Sequence, residues 1–129
     1  MHLGELEKLV LNYLWSHESA DAKQVFEHFE QHRGGSLNTI QAALDRLFKK
    51  GLLNRTKKSH AYIYYSAIER SKLLGSLITD ITNELAKNDA DSILEAFVDV
   101  STALDEESLL RLEQLIDKKK LSIKNGNGA

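Results

Sequence analysis

The sequence predicts a mostly α-helical protein with one small β-hairpin, and two observations support this fold class. Apolar residues recur every three or four positions over residues 4–48 and again from residue 69 onward, which is typical of amphipathic helices. Between these stretches, residues 53–58 follow a period of two and residues 61–66 are rich in aromatic and β-branched side chains, both of which are typical of strands.

Three short helices are predicted before the hairpin. The first covers residues 4–15, and the second begins after Ser19, which can cap it, and ends at Arg33-Gly34-Gly35. The third begins at Ser36, whose hydroxyl can accept from the free amides of the first turn, and ends at Gly51, which tolerates a left-handed conformation. The expected core positions are Leu6, Trp15, Ile40, Leu47 and Leu53.

The hairpin follows directly. Leu53, Arg55 and Lys57 alternate with polar neighbours, and the run Ala61-Tyr62-Ile63-Tyr64-Tyr65-Ser66 has a strong strand composition. Lys58-Ser59-His60 forms the predicted turn between them. Three short helices followed by a two-stranded hairpin is the element order of a winged helix-turn-helix domain, which we assign to residues 1–68.

The remaining residues predict a helical dimerisation domain, 69–121, and a flexible tail, 122–129. Asp105 is expected to cap a helix over Glu106–Lys119. Helices this short are marginal in isolation, and the N-terminal domain has its own core, so we expect their apolar stripes to pack against a second copy of the chain. The expected dimer contacts are Leu74, Leu77, Ile78, Ile81, Phe97, Leu109, Leu112 and Ile116.

Composition excludes several classes of protein. Hydrophobic residues make up 42% and charged residues 28% of the 129 residues, which is typical of globular chains. The apolar stretches fall far short of the roughly 20 residues that span a bilayer, and the first residues lack the features of a signal peptide. The absence of cysteine excludes disulfides and thiolate metal sites. We therefore expect a cytoplasmic protein with no membrane partner and no cofactor.

The charge is unevenly distributed. The net charge is −2, but residues 36–60 hold six Lys/Arg and one Asp, a local charge of +5. Residues 67–129 hold eight Lys/Arg and twelve Asp/Glu, a local charge of −4. A basic patch beside an acidic remainder directs one face toward a polyanion such as double-stranded DNA.

The third helix presents a polar face suited to the major groove, which admits an α-helix. Asn and Gln can pair with adenine, Arg with guanine, and Thr can contact phosphate or the thymine methyl group. Hairpin cations can contact phosphates, which positions a protein on DNA without specifying sequence. The expected DNA contacts are Ser36, Asn38, Thr39, Gln41, Ala42, Arg46 and Lys49 in the helix and Lys57, Lys58 and His60 in the hairpin.

Asp45 lies on the same face. An acid there repels phosphate unless it accepts from cytosine N4 or pairs with a nearby cation, Lys49 or Arg46. The sequence leaves these alternatives open.

These residues resemble the penicillinase-repressor family of bacterial winged-helix regulators (the BlaI/MecI/CopY group). The similarity extends over about residues 3–117 and is specific in the first 66 residues. The matching segments are Leu3-Gly4-Glu5-Leu6-Glu7 through Leu14-Trp15, Ser36-Leu37-Asn38-Thr39-Ile40-Gln41, Leu44-Asp45-Arg46-Leu47-Phe48-Lys49-Lys50-Gly51-Leu52 and Ala61-Tyr62-Ile63-Tyr64-Tyr65.

The resemblance implies a homodimer that binds a palindromic operator and represses adjacent genes, with Thr39 and Arg46 in the DNA interface. In the antibiotic-responsive branch, a sensor-coupled protease cuts the dimerisation domain at an Asn-Phe bond. The comparable stretch here is Leu94-Glu95-Ala96-Phe97, and Ala96 argues against the same cleavage. The copper-responsive branch binds metal through cysteines, which this chain lacks. The inducing signal is therefore open.

Two other functions are weighed against repression. His28 and His32 stand at i and i+4 on one helix face and can hold a divalent ion, although two exposed histidines are the simpler interpretation. A winged helix can also bind other proteins, but such a module has no need of the basic patch. There is no Gly-rich phosphate loop, nucleophile elbow or cysteine, so we expect no enzymatic activity.

Overall fold

The N-terminal part of the chain folds as three helices and a small sheet, followed by three further helices. The computed structural model describes residues 2–31, 35–85, 89–103 and 105–127. Two units, Met1–Asp80 and Ile81–Ala129, are distinguished by their internal contacts. The elements in chain order are α1 (Glu5–Ser16), β1 (Ala20–Asp21), α2 (Ala22–Glu30), α3 (Leu37–Lys49), β2 (Leu53–Lys58), β3 (Ala61–Ser66), α4 (Arg70–Leu85), α5 (Ala90–Thr102) and α6 (Glu106–Asn127).

The strands form one antiparallel sheet in the order β1-β3-β2. The predicted hairpin is confirmed, with Lys58 of β2 opposite Ala61 of β3 at the turn. The sheet has three strands rather than the predicted two, because Ala20 of β1 pairs with Tyr64 of β3. A strand of two residues is too short to show a period-two pattern, and only its pairing with β3 reveals it.

The start of α2 corrects the prediction that Ser19 caps it. Asp21 is the N-cap: its carboxylate accepts from the Gln24 amide at 2.8 Å, and the Gln24 side chain accepts from the Asp21 amide at 2.9 Å. This reciprocal pair is a capping box. Because Ala20 and Asp21 are extended within the sheet, the helix cannot begin at Ser19.

The core of the first unit lies between its helices and the sheet. Trp15, at the end of α1, is half-buried, and its indole N–H donates to Ser66 Oγ at 3.0 Å and to the Ile68 carbonyl at 2.9 Å. These bonds attach α1 to the end of β3. Among the expected core positions, Leu6 is also half-buried. Burial is complete or nearly so at Ile40, Leu47 and Leu53.

The first half of α4 belongs to this unit. Leu73 is 2% exposed within the core, and Leu77 packs against it while partly exposed. The unit therefore extends to Asp80, beyond the boundary at residue 68 that the sequence suggested. The first turns of α4 complete the N-terminal core, which a period analysis of α4 alone does not reveal.

The second unit consists of the end of α4 with α5 and α6, and both later helices have an N-cap. The Asp89 carboxylate accepts from the Ser92 amide at 3.1 Å. Asp105 accepts from the Ser108 amide at 2.8 Å, which confirms its predicted role. Since a carboxylate satisfies free amides and favours the helix dipole, these caps define where α5 and α6 begin.

The helix α6 is longer than predicted. It continues to Asn127, so the expectation of a flexible tail from Ser122 is wrong for residues 122–127. Ile123 follows Ile116 by one heptad and therefore lies on the same face, which extends the apolar stripe beyond Lys119. No helix within the described ranges is both long and apolar enough to cross a membrane.

Candidate nucleic-acid interface

The helix α3 is fixed at both ends. Ser36 is its N-cap, as predicted, and the Ser36 hydroxyl accepts from the Thr39 amide at 3.2 Å. The Thr39 hydroxyl lies 2.9 Å from that of Ser36, so both side chains take part in the cap. At the other end Gly51 has a φ of +80° and the Leu52 amide donates to the Leu47 carbonyl at 3.0 Å. This left-handed glycine ends the helix and turns the chain into β2.

One side of α3 is buried and the other is exposed. Ile40, Ala43, Leu44 and Leu47 are buried against the core. At about 100° per residue, Asn38, Ala42 and Lys49 point furthest from that buried side, and Thr39 and Arg46 lie on one flank. All the side chains that the sequence assigned to DNA on this helix are exposed: Ser36, Asn38, Thr39, Gln41, Ala42, Arg46 and Lys49.

Glu7 connects α1 to the end of α3. Its side chain is only 8% exposed and lies 2.5 Å from Lys50 Nζ and 3.5 Å from Arg46 Nε. Lys50 also donates to the His2 carbonyl at 2.8 Å. Burial raises the pKa of the Glu7 carboxyl. The hydrogen bond and charge of Lys50, the backbone hydrogen bond of Gly4 and the charge of Arg46 together outweigh burial and leave this pKa below its usual value. Arg46 is therefore held at the flank of α3 by a buried carboxylate.

Asp45 connects α3 to β2. Its Oδ2 lies 2.9 Å from Lys49 Nζ, and its Oδ1 lies 3.2 Å from Arg55 Nη1. The Asp45–Lys49 pair is one of the alternatives left open by the sequence, whereas Arg46 pairs with Glu7 instead. The hydrogen bond from Lys49 is the largest effect on the Asp45 carboxyl and lowers its pKa. Burial raises this pKa, but the charge of Lys49 and the hydrogen bond and charge of Arg55 lower it further, so that the pKa lies below its usual value. Asp45 therefore stays ionised at neutral pH.

Arg55 lies between α3 and the hairpin. Its guanidinium carbon is 3.9 Å from the centroid of the Phe48 ring and 4.1 Å from that of Tyr62. With 22% of its side chain exposed, Arg55 is a packed residue and not a free phosphate contact. From the sequence, Arg55 was predicted only to be part of the basic patch. The available signal was its position on the same strand face as the buried Leu53.

The turn between β2 and β3 carries the other predicted contacts. Lys57, Lys58 and His60 are all exposed, and Ser59 between them has a φ of +58°. Neither lysine forms an ion pair within the described ranges of the chain, whereas Arg46, Lys49, Lys50 and Arg55 each lie within 4 Å of a carboxylate. The unpaired positive charge of the basic patch is thus concentrated at the hairpin turn.

The His28/His32 pair stays untested, because His32 lies outside the described residues. His28 lies near Tyr13 and His17: the Tyr13 and His17 rings stack with centroids 4.1 Å apart, and the two imidazole centroids are 6.4 Å apart. Among the residues that are described, no group of three or more His, Cys, Asp or Glu is arranged to hold a metal ion.

Two consecutive helices, the second with an exposed polar face, followed by a basic hairpin, define a winged helix-turn-helix domain of the DNA-binding class. The sequence pattern of the penicillinase repressor family matches residues 3–118, and the chain belongs to this family of bacterial transcriptional repressors. The methicillin resistance regulatory protein MecI of Mammaliicoccus sciuri is 28% identical over 117 residues, which are 91% of this chain and 94% of that protein.

Two further similarities agree with this assignment. The penicillinase repressor of Bacillus licheniformis is 25% identical over 118 residues, covering 92% of this chain and 91% of that protein. The solution structure of the DNA binding domain of the repressor BlaI superposes with a TM-score of 0.51 at 31% identity, covering 54% of this chain and 85% of that domain. The winged-helix prediction is thereby confirmed.

Proposed function

We propose that this chain is a sequence-specific DNA-binding repressor that acts in the cytoplasm as a homodimer on a palindromic operator. The observation that supports it most directly is the exposed polar face of α3 next to a hairpin whose Lys57 and Lys58 are exposed and form no ion pair among the described residues. The relatives named as repressors point the same way.

In this proposal α3 enters the major groove. Asn38 and Gln41 read adenine, Arg46 reads guanine from the flank, and Ala42 permits close approach. Lys57, Lys58 and His60 contact phosphates next to the groove and fix the register of the domain on DNA. The hydroxyls of Ser36 and Thr39, at the N-terminus of α3, can donate to a phosphate.

Homodimerisation is proposed because the second unit lacks a core. From Ile81 onward, no described apolar side chain is buried; Leu112 is 38% exposed and Ile116 is 46% exposed. Separate amphipathic helices are marginal in water, and twofold symmetry offers each stripe an identical partner. The proposed contacts are Ile78, Ile81, Phe97, Leu109, Leu112 and Ile116, together with Leu74 and the partly buried Leu77.

Sedimentation tests the dimer. Leu112→Asp should yield monomers, because a charge within the apolar stripe opposes burial. Gln114→Asp, about 200° around α6 from Leu112, is the matched control and should remain dimeric. Fluorescence of Trp15 checks that the first unit stays folded in both variants. A dimer that persists in Leu112→Asp places the interface elsewhere.

A binding titration tests sequence-specific DNA binding, which is the first step of repression. DNA from upstream of the protein's own gene is compared with a scrambled fragment over a series of salt concentrations. The proposal expects tight binding to the upstream DNA by a dimer, with affinity falling steeply as salt rises. Equal, weak binding to both fragments would contradict it and would favour a protein-binding role for the winged helix.

We propose that an unidentified signal releases the repressor, with proteolysis of the second unit as one route to be tested. Ala96 and Phe97 lie within α5 and are exposed, and a protease needs an extended backbone, so cleavage there requires local unwinding of the helix. Incubating the repressor with a sensor-coupled protease and sizing the products by mass spectrometry tests this route. An intact second unit under inducing conditions would point to a non-proteolytic signal.

A further inference from the structure

Asp45 introduces negative charge into the face of α3 that is proposed to meet DNA. We propose that Asp45 is a specificity-determining residue, which weakens binding to DNA of unrelated sequence by pairing with Lys49 and Arg55. The inference rests on the proposed DNA-binding function. It differs from a base-reading role, in which the carboxylate accepts a hydrogen bond from cytosine.

The geometry favours pairing within the protein. One carboxylate oxygen of Asp45 lies 2.9 Å from Lys49 Nζ and the other lies 3.2 Å from Arg55 Nη1. Both oxygens therefore already accept from cations of this chain. A cytosine amino group would have to share an oxygen with a cation or displace it.

The two cations respond differently if the charge of Asp45 is removed. Arg55 is stacked between Phe48 and Tyr62 and is 22% exposed, so it keeps its place without the carboxylate. Lys49 is 73% exposed, and the Asp45 ion pair is the contact that restrains its flexible stem. Neutralising Asp45 should therefore release one cation per protomer, Lys49.

A released lysine changes binding in a measurable way. Each phosphate neutralised by Lys or Arg contributes about 0.9 to the slope of log affinity against log salt. One additional contact per protomer should steepen that slope by about 0.9 per protomer, so that a fourfold rise in salt weakens binding a further threefold to fourfold for each protomer that contacts the DNA. On scrambled DNA α3 is not held by base contacts, so Lys49 can turn toward a phosphate. On the operator, base contacts hold α3 in place, so the gain in affinity from Lys49 is smaller.

Titrations of Asp45→Asn test the proposal, because asparagine keeps the shape of the side chain without its charge. Binding to the upstream fragment and to a scrambled fragment is measured at several salt concentrations with full-length protein. Asp45→Asn should bind scrambled DNA at least threefold more tightly at low salt, with the steeper slope and a lower ratio of operator to scrambled affinity. Glu18→Gln, which removes an exposed acid before β1, is the matched control and should leave the ratio unchanged.

A second variant isolates the released lysine. In Lys49→Gln, adding Asp45→Asn should no longer tighten scrambled-DNA binding, because the cation is gone. Three outcomes would overturn the proposal: weaker operator binding alone, which indicates base reading; equal weakening on both DNAs with a lower melting temperature, which indicates support of the hairpin; or no change. A wild-type protein without any sequence preference would instead contradict the proposed function.

Discussion

Replacing Glu7 by glutamine tests whether the buried carboxylate stabilises the winged helix. Removing one partner of a fully buried ion pair costs about 3–5 kcal/mol. Here the Lys50 side chain is 31% exposed, so water still solvates the ammonium, and glutamine retains an oxygen that can accept from it. The expected loss in the free energy of unfolding is therefore about 1–2 kcal/mol, or roughly 5–15 °C in Tm for a unit of this size.

The effect should depend on pH in a definite direction. The folded-state pKa of Glu7 lies below its ordinary value of 4.5, so its ionised form stabilises the fold above that pH. As the pH falls through the folded-state pKa the carboxyl becomes protonated and this contribution disappears. The difference in stability between wild type and Glu7→Gln should be full at neutral pH and should shrink as the pH falls below 4.5.

Trp15 provides the assay. It is the single tryptophan of the chain and is hydrogen-bonded within the first unit, so its fluorescence follows the unfolding of that unit in urea. Glu27→Gln, which neutralises an exposed glutamate on α2, is the matched control and should change the free energy of unfolding by less than about 0.5 kcal/mol. A Glu7→Gln protein as stable as wild type at neutral pH would show that the buried carboxylate does not stabilise the winged helix.

Three further predictions concern other parts of the first unit. Lys57→Gln and Lys58→Gln should each weaken binding to operator and scrambled DNA by the same factor and reduce the salt slope by about 0.9 per protomer in titrations; a loss confined to the operator would mean base contact. Gly75→Ala in α4 should raise the free energy of unfolding in urea by about 0.5–1 kcal/mol, because nothing lies within 4 Å of the added carbon. Gly51→Ala should lower this free energy by about 1–2 kcal/mol, because φ is +80° there, and a change of the same sign at both sites would contradict the prediction. Asp21→Ala should lower the free energy of unfolding by about 1 kcal/mol and should lower the Tm accordingly, as measured by circular dichroism. An unchanged Tm would show that the capping box is dispensable.

The helices and the hairpin were predictable because their signals are local. The caps at Ser36 and Asp105 and the end of α3 at Gly51 depend on side chains within a few residues of the helix ends. By contrast, β1 exists only through its pairing with β3, which is more than forty residues away in the sequence. The first half of α4 joins the N-terminal core for the same reason, since Leu73 finds its partners in distant elements.

The charges of the site were harder to interpret than the apolar pattern. Glu7 follows Leu3 by four residues and precedes Val10 by three, so it lies on the apolar stripe of α1, where a charged residue must have a partner. That pattern was visible, but the partners, Lys50 and Arg46, are set by the packing of α1 against α3. The charge of +5 over residues 36–60 is a formal sum, which does not include these ion pairs.

Internal pairing alters what the basic patch can do. With Arg46, Lys49, Lys50 and Arg55 each near a carboxylate, most of its cations are not free to bind phosphate. A single domain should therefore hold unrelated DNA weakly, since non-specific affinity comes almost entirely from unpaired Lys and Arg. Joining two such domains through the proposed dimer restores affinity on a palindrome, because the second half-site then binds at a high effective concentration. Unrelated DNA lacks two correctly spaced half-sites, so the same dimer discriminates more strongly than either domain alone.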